Sequence, residues 1–359
     1  MIQQKNRRIR RAILGPLLRT VFGVVALTSP VVAPASIALC DAVFEQSFRE
    51  ARAETVLSDR ARELVSKWIL EDRAKVVSPE HASSVRTVKR AEIAEATSRD
   101  VVKTKFVVQM IHGLYNSPKW MDDLGRYFHA GGMNVVNTRL PGHYEKQHDA
   151  LDRVSRSEWV AATENGFRVA TELGERVIVV GHSTGGVLAS ILAVKHPEQV
   201  AAIVLFAPAY RVSTMSWIKA AISSRANIGY VEESSGRYIS GEAGQQVVLL
   251  GKEFWAELAK ENPSEPVGVL RDRLRNTPIL MIETAMDKTI DVAFNRIVMR
   301  VLTEGAPSVV RTQVVLSESD QTPHNAITLE NNGSGSARSH EKVKSALGQF
   351  LDRAGLRHF

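Results

Sequence analysis

From Phe106 onward, short apolar runs alternate with amphipathic stretches. "FVVQMIH", "MNVVNTRL", "RVIVVGHS" and "VAAIVLFAPA" are of strand length, rich in Val and Ile, and apolar throughout rather than at every second position. Runs of that kind fit strands buried on both faces. Between them lie stretches with helical spacing: one near 121–130, then "SEWVAATENGFRVATEL" with Ser157 as its expected N-cap, then "GGVLASILAVKH". Strands alternating with helices call for an α/β fold with a mostly parallel central sheet flanked by helices.

The rhythm breaks between 210 and 276. This stretch is expected to be mostly helical and amphipathic, with Trp217, Ile218, Ile222, Phe254, Trp255 and Leu258 among polar residues. Strand character resumes at "TPILMIETAMD", followed by a helix near 291–304, the strand "VVRTQVVLSES" and a last helix near 339–353. An insertion at this point reads as a helical cap over the carboxyl edge of the sheet, where open α/β sheets bind ligands. Residues 331–336, "NNGSGS", read as a flexible loop. Upstream, 41–75 shows one amphipathic helical face (Val43, Phe44, Phe48, Val56, Leu57, Leu64, Val65, Ile69), and 76–100 is polar and mixed. The expected organisation is therefore a basic and apolar N-terminal segment (1–40), an amphipathic extension (41–100), a core in two parts (101–209 and 277–359) and a cap (210–276) between them.

Composition sharpens only the N-terminus. At 359 residues, 44% hydrophobic and 24% charged, the chain is globular in character, and six units of its net charge of +7 come from Lys5, Arg7, Arg8, Arg10, Arg11 and Arg19. The body is thus close to neutral, which argues against a nucleic-acid groove. Residues 20–40 carry no charge and include Ala33-Pro34-Ala35, the pattern of an export signal with a small-residue cleavage site. The same segment reads alternatively as a retained anchor, although Arg19, Pro30 and Pro34 interrupt a spanning helix. Either reading places the protein in the cell envelope or at the inner membrane, with membrane contact through 1–40. Cys40 is the single cysteine, so intrachain disulfides and a catalytic cysteine in the body are excluded. The bulky Leu39 before it departs from a lipoprotein box.

Candidate chemistry centres on "VIVVGHSTGG". A Gly-x-Ser-x-Gly alone is weak, but this one stands between a strand run and a helix run, where a sharp turn would expose Ser183 as a nucleophile. Gly181, Gly185 and Gly186 leave room for that turn. Downstream of Ser183 there are four histidines, and chain order requires the base to follow the acid. His196 lies in the helix after Ser183, His340 in the terminal helix and His358 beside the end. His324, just past the last strand, is the base by elimination. For the acid, Asp287 follows "PILMIETAM"; its rivals are Glu283, still on the strand, and Asp291, which reads as the N-cap of the next helix. Two backbone N–H groups suit an oxyanion: Thr184, directly after the nucleophile, and Leu114 in the loop "HGLYNSP", where Gly113 permits a tight turn. His112 reads as structural. His143 and His148, with Glu145 between them, match no metal-ligand spacing, and neither metal nor cofactor is expected.

"IHGLYNSP", "LPGH", "GHSTGG", "PILMIETAMD" and "HNAITLE" together resemble the serine α/β-hydrolase superfamily, in particular bacterial carboxylesterases and monoacylglycerol lipases of the serine-aminopeptidase-like branch. The resemblance covers roughly 105–355. It implies Ser183 as nucleophile, Asp287 as acid, His324 as base, and Leu114 and Thr184 as oxyanion donors. Two departures stand out: Glu283 where a Gly often follows the strand, and Tyr144 where a Gly follows "LPGH". The expected activity is hydrolysis of a carboxylic ester with an apolar moiety through an acyl-enzyme. Thioesterase, amidase or peptidase chemistry with the same residues stays open, as does a non-catalytic, membrane-tethered binding module.

Overall fold

The apolar runs form strands: β1 (Ser84–Arg86), β2 (Thr104–Ile111), β3 (Asn134–Thr138), β4 (Gly174–His182), β5 (Val200–Phe206), β8 (Ile279–Thr284) and β9 (Arg311–Leu316) make one sheet in the order β1-β3-β2-β4-β5-β8-β9. Every neighbouring pair is parallel except β1 with β3, which is antiparallel at the sheet edge. All seven residues of β5 and the last six of β4 are buried. Successive side chains point to opposite faces, so continuous burial means that both faces are covered. The cover includes α1 (Asp59–Arg73), α2 (Asp122–Ala130), α3 (Arg156–Leu173), α4 (Thr184–Lys195), α8 (Val292–Glu304) and α9 (Ala337–Arg353). The computed structural model describes residues 57–88, 101–147, 149–226, 228–232, 237–304, 306, 308–324 and 336–357.

Two local expectations need correction. Helix α3 is capped by Ser155, not Ser157: the Ser155 hydroxyl accepts from Glu158 N–H while the Glu158 carboxylate accepts from Ser155 N–H, a reciprocal pair that satisfies two otherwise free donors. The segment between β5 and β8 is not wholly helical. It holds α5 (Thr214–Arg225), α6 (Gly241–Ala259) and α7 (Pro266–Arg273), but also an antiparallel ribbon of β6 (Gly229–Glu232) and β7 (Arg237–Ser240). The residues 57–88 do more than supply a helix, since β1 extends the central sheet. The expected signal or anchor (1–40) and the loop at 331–335 lie outside the described residues. Among the described residues no helix is long and apolar enough to cross a membrane.

Candidate active site

Ser183 occupies the turn between β4 and α4, with φ 54° and ψ −115°. A side-chain-bearing residue at positive φ is strained and must be held by its surroundings. Here Ser183 N–H donates to Phe206 O (2.8 Å), and Ser183 O accepts from Gly186 (2.9 Å) and Ala209 (3.0 Å). The turn is tight enough that a Cβ on Gly185 would stand 2.1 Å from the Ile111 carbonyl oxygen. The close approach of β2 thus requires Gly at 185, while a Cβ on Gly181 would meet the Gly185 carbonyl oxygen (2.1 Å) and one on Gly186 would meet Pro208 (2.8 Å).

Strand ends bring the other two side chains to the same place. Asp287 lies in the turn after β8, and His324 follows β9 and a short 3-10 turn, Glu318–Asp320. Ser183 Oγ is 2.9 Å from His324 Nε2, and His324 Nδ1 is 2.6 Å from Asp287 Oδ2. The Asp287 carboxylate is fully buried, and its Oδ1 accepts from Thr289 N (2.8 Å) and Ile290 N (3.1 Å). Burial alone would raise its pKa; the His324 bond and charge, with the two N–H donors, outweigh burial and hold it below the ordinary value. The carboxylate is therefore ionised and fixed, suited to orient the imidazole through Nδ1–H.

The rivals for these roles have other partners. Glu283 is buried at the end of β8, bonded to Asn295 Nδ2 (2.8 Å) and Gln313 Nε2 (2.6 Å), and burial raises its pKa. Asp291 caps α8 by accepting from Phe294 N–H. His196 pairs with Glu164, and His340 is buried in α9. His143 faces the carbonyls of Leu140 and Pro141, while Glu145 is bound to Arg139; His148 lies outside the described residues.

Of the two backbone groups singled out for an oxyanion, Thr184 directly follows Ser183 and Leu114 follows Gly113, which packs against Ser183. Thr184 is the first residue of α4, where N–H groups have no partner within the helix and the helix dipole favours negative charge. Gly113 packs directly on the turn: a Cβ there would be 3.0 Å from Ser183 Cβ. Leu114 follows it in a turn closed by Asn116 N–H to Gly113 O (3.2 Å), with Tyr115 at φ 62°. Tyr115 also donates its hydroxyl to Ser240 O (2.6 Å), which ties this turn to the start of α6.

One supporting side chain was legible only as the variable position of the Ser motif. His182 is buried, and its Nε2 lies 3.0 Å from His324 O. Burial, followed by the neighbouring His324, lowers its pKa to about 4, so its ring is neutral at pH 7 and Nε2–H donates to that carbonyl. His182 thus holds the backbone of His324 from behind.

Comparison with known proteins places these residues in context. Residues 102–232 match a family model described as serine aminopeptidase, S33. Over 91 residues the chain is 32% identical to the thermostable monoacylglycerol lipase of Bacillus sp. (strain H-257), an alignment taking in 25% of this chain and 36% of that protein. Among solved structures, one reported for LipS and LipT, two metagenome-derived lipolytic enzymes, superposes with a TM-score of 0.53 at 19% identity, covering 70% of this chain and 95% of the other. A soluble variant of monoglyceride lipase from Saccharomyces cerevisiae, in complex with a substrate analog, gives 0.56 at 12% identity over 76% of this chain and 91% of the other.

Proposed function

We propose that this chain, whose fold is that of the α/β-hydrolases and which resembles monoacylglycerol lipases and esterases, is a serine hydrolase that cleaves a carboxylic ester with an apolar moiety. The observation that carries the reading is the continuous hydrogen-bonded series Ser183–His324–Asp287 at a strained strand-to-helix turn. Ser183 Oγ attacks the ester carbonyl carbon as its proton passes to His324 Nε2. The carbonyl oxygen becomes an oxyanion held by the N–H groups of Leu114 and Thr184, and Asp287 stabilises the imidazolium through Nδ1–H. Collapse breaks the ester C–O bond, His324 returns the proton to the leaving alcohol, and an acyl group stays on Ser183. Water, deprotonated by His324, then adds to the acyl carbon and releases the acid. No step calls for a metal or cofactor.

A graded series of p-nitrophenyl esters and monoacylglycerols tests the reading. Wild type should turn over esters of the series, and Ser183→Ala should lose at least about 1000-fold in kcat. Equal turnover by the variant would refute the mechanism. The match to a serine aminopeptidase model favours a second reading, hydrolysis of an amide, so an aminoacyl anilide belongs in the same series. We further propose that residues 1–40 direct the chain to the cell envelope, on the strength of the six basic residues ahead of an uncharged stretch. Fusing 1–40 to a phosphatase active only after export should give activity; a cytoplasmic, inactive fusion would overturn this.

A further inference from the structure

The N-terminal helix reaches the oxyanion turn through a buried ion pair. Asp72, near the end of α1, accepts from Arg139 in a fork: Nη2 to Oδ1 at 2.6 Å and Nε shared between Oδ1 at 3.0 Å and Oδ2 at 3.1 Å. Its Oδ2 also accepts from Ser83 N–H at 2.7 Å. The Arg139 side chain is 2% exposed and that of Asp72 14%. From there Arg139 Nη1 donates to His143 O and Glu145 Oε1, both at 3.0 Å, and Glu145 Oε1 accepts from Gly142 N–H. The guanidinium therefore holds the whole turn after β3 from within. Backbone pairing of 75–77 with 144–146 fastens the same turn to the N-terminal segment.

That turn in its turn sets the oxyanion loop. Leu140 N–H donates to His112 Nε2 at 2.9 Å, which leaves the ring proton on Nδ1, and Nδ1–H donates to Gly113 O at 2.8 Å. Burial keeps His112 neutral by lowering its pKa well below the ordinary value. The Gly113 carbonyl and the Leu114 N–H belong to one trans peptide plane and point in opposite directions. Fixing the oxygen on His112 therefore aims the N–H.

We propose that Asp72 and Arg139 are positioning residues for the Leu114 N–H, so that the N-terminal helix belongs to the catalytic framework rather than being an appendage. The inference rests on the reading of Leu114 as an oxyanion donor.

The test uses Arg139→Lys, which keeps the charge pair but loses the fork, and the triple variant Asp72→Leu/Arg139→Met/Glu145→Gln, which removes Arg139 together with both carboxylates that pair with it. For each, kcat and KM on p-nitrophenyl butyrate are measured with the Ki of a trifluoromethyl ketone, whose Ser adduct carries the oxyanion. Near-UV circular dichroism and Tm report folding. Both variants should lose about 10-fold or more in kcat, with KM within about twofold, and Ki should rise in parallel with the kcat loss. A folded variant with wild-type kcat and Ki, or with a change in KM alone, would overturn the proposal. A wild-type protein that neither hydrolyses the ester nor binds the ketone would overturn the hydrolase reading instead.

Discussion

At Ser183 the positive φ puts the hydroxyl within 2.9 Å of His324, whose backbone carbonyl is held by the neutral ring of His182, while His143 is buried in the turn after β3. Burial brings His182 and His143 each down to about 4, from an ordinary value of 6.5. The unfolded chain therefore binds more protons than the folded one once the pH drops below that ordinary value. Stability is full above about pH 6.5 and is lost as the pH falls toward about 4. The depressed Asp287 acts in a lower window, its contribution being present above the ordinary carboxylate value of 3.8 and lost below it. Melts taken between about pH 7.5 and 4.5 should show Tm falling before carboxylates titrate, and His143→Asn should flatten that fall. A flat Tm across this window would contradict the burial of neutral rings. Ser183, Asp287 and His324 were legible in the sequence because each follows a strand run and chain order restricts the choice. Asp72 and Arg139 were not, because their contact spans 67 positions and neither residue sits in a local pattern.

The elements that read clearly were those long enough to show a period. Helix α3 has 18 residues and β4 has nine, whereas β1 has three and β6 and β7 four each, too short to register as apolar runs. The start of α3 was misplaced by two residues because Ser155 and Ser157 both fit a cap, and only reciprocal bonding with Glu158 separates them. Ser155→Ala should cost about 1 kcal/mol in urea unfolding. Ser157→Ala should stay within about 0.5 kcal/mol, and the reverse ranking would refute the assignment. The turn from β4 to α4 is less tolerant. Gly185→Ala would push a methyl against the Ile111 carbonyl, with an expected cost of about 3 kcal/mol and loss of ester turnover. A variant with wild-type stability would show that β2 does not press on this turn.

Across the molecule, the α/β architecture was readable because parallel strands buried on both faces must be apolar throughout, whatever their order. Strand order and the antiparallel edge strand were beyond reach, since they depend on pairings such as Val85 with Val136, far apart in the chain. The structure makes 57–88 part of the sheet and of the support for the turn after β3. A chain of residues 57–359 should therefore melt cooperatively. One of residues 102–359 should not, because it strips β1 from the sheet edge, takes away the cover of α1 and removes Asp72 from Arg139. A cooperative melt of the shorter chain would contradict this account of the N-terminal segment. The central claim, that Ser183 is an activated nucleophile, is tested most directly by reaction with a fluorophosphonate followed by mass spectrometry of the peptide containing it. Wild type should carry one adduct on Ser183, His324→Ala should react at least about 100-fold more slowly, and Ser183→Ala should carry none. Folded wild-type protein without an adduct, or a Ser183→Ala variant labelled at the wild-type rate, would contradict it.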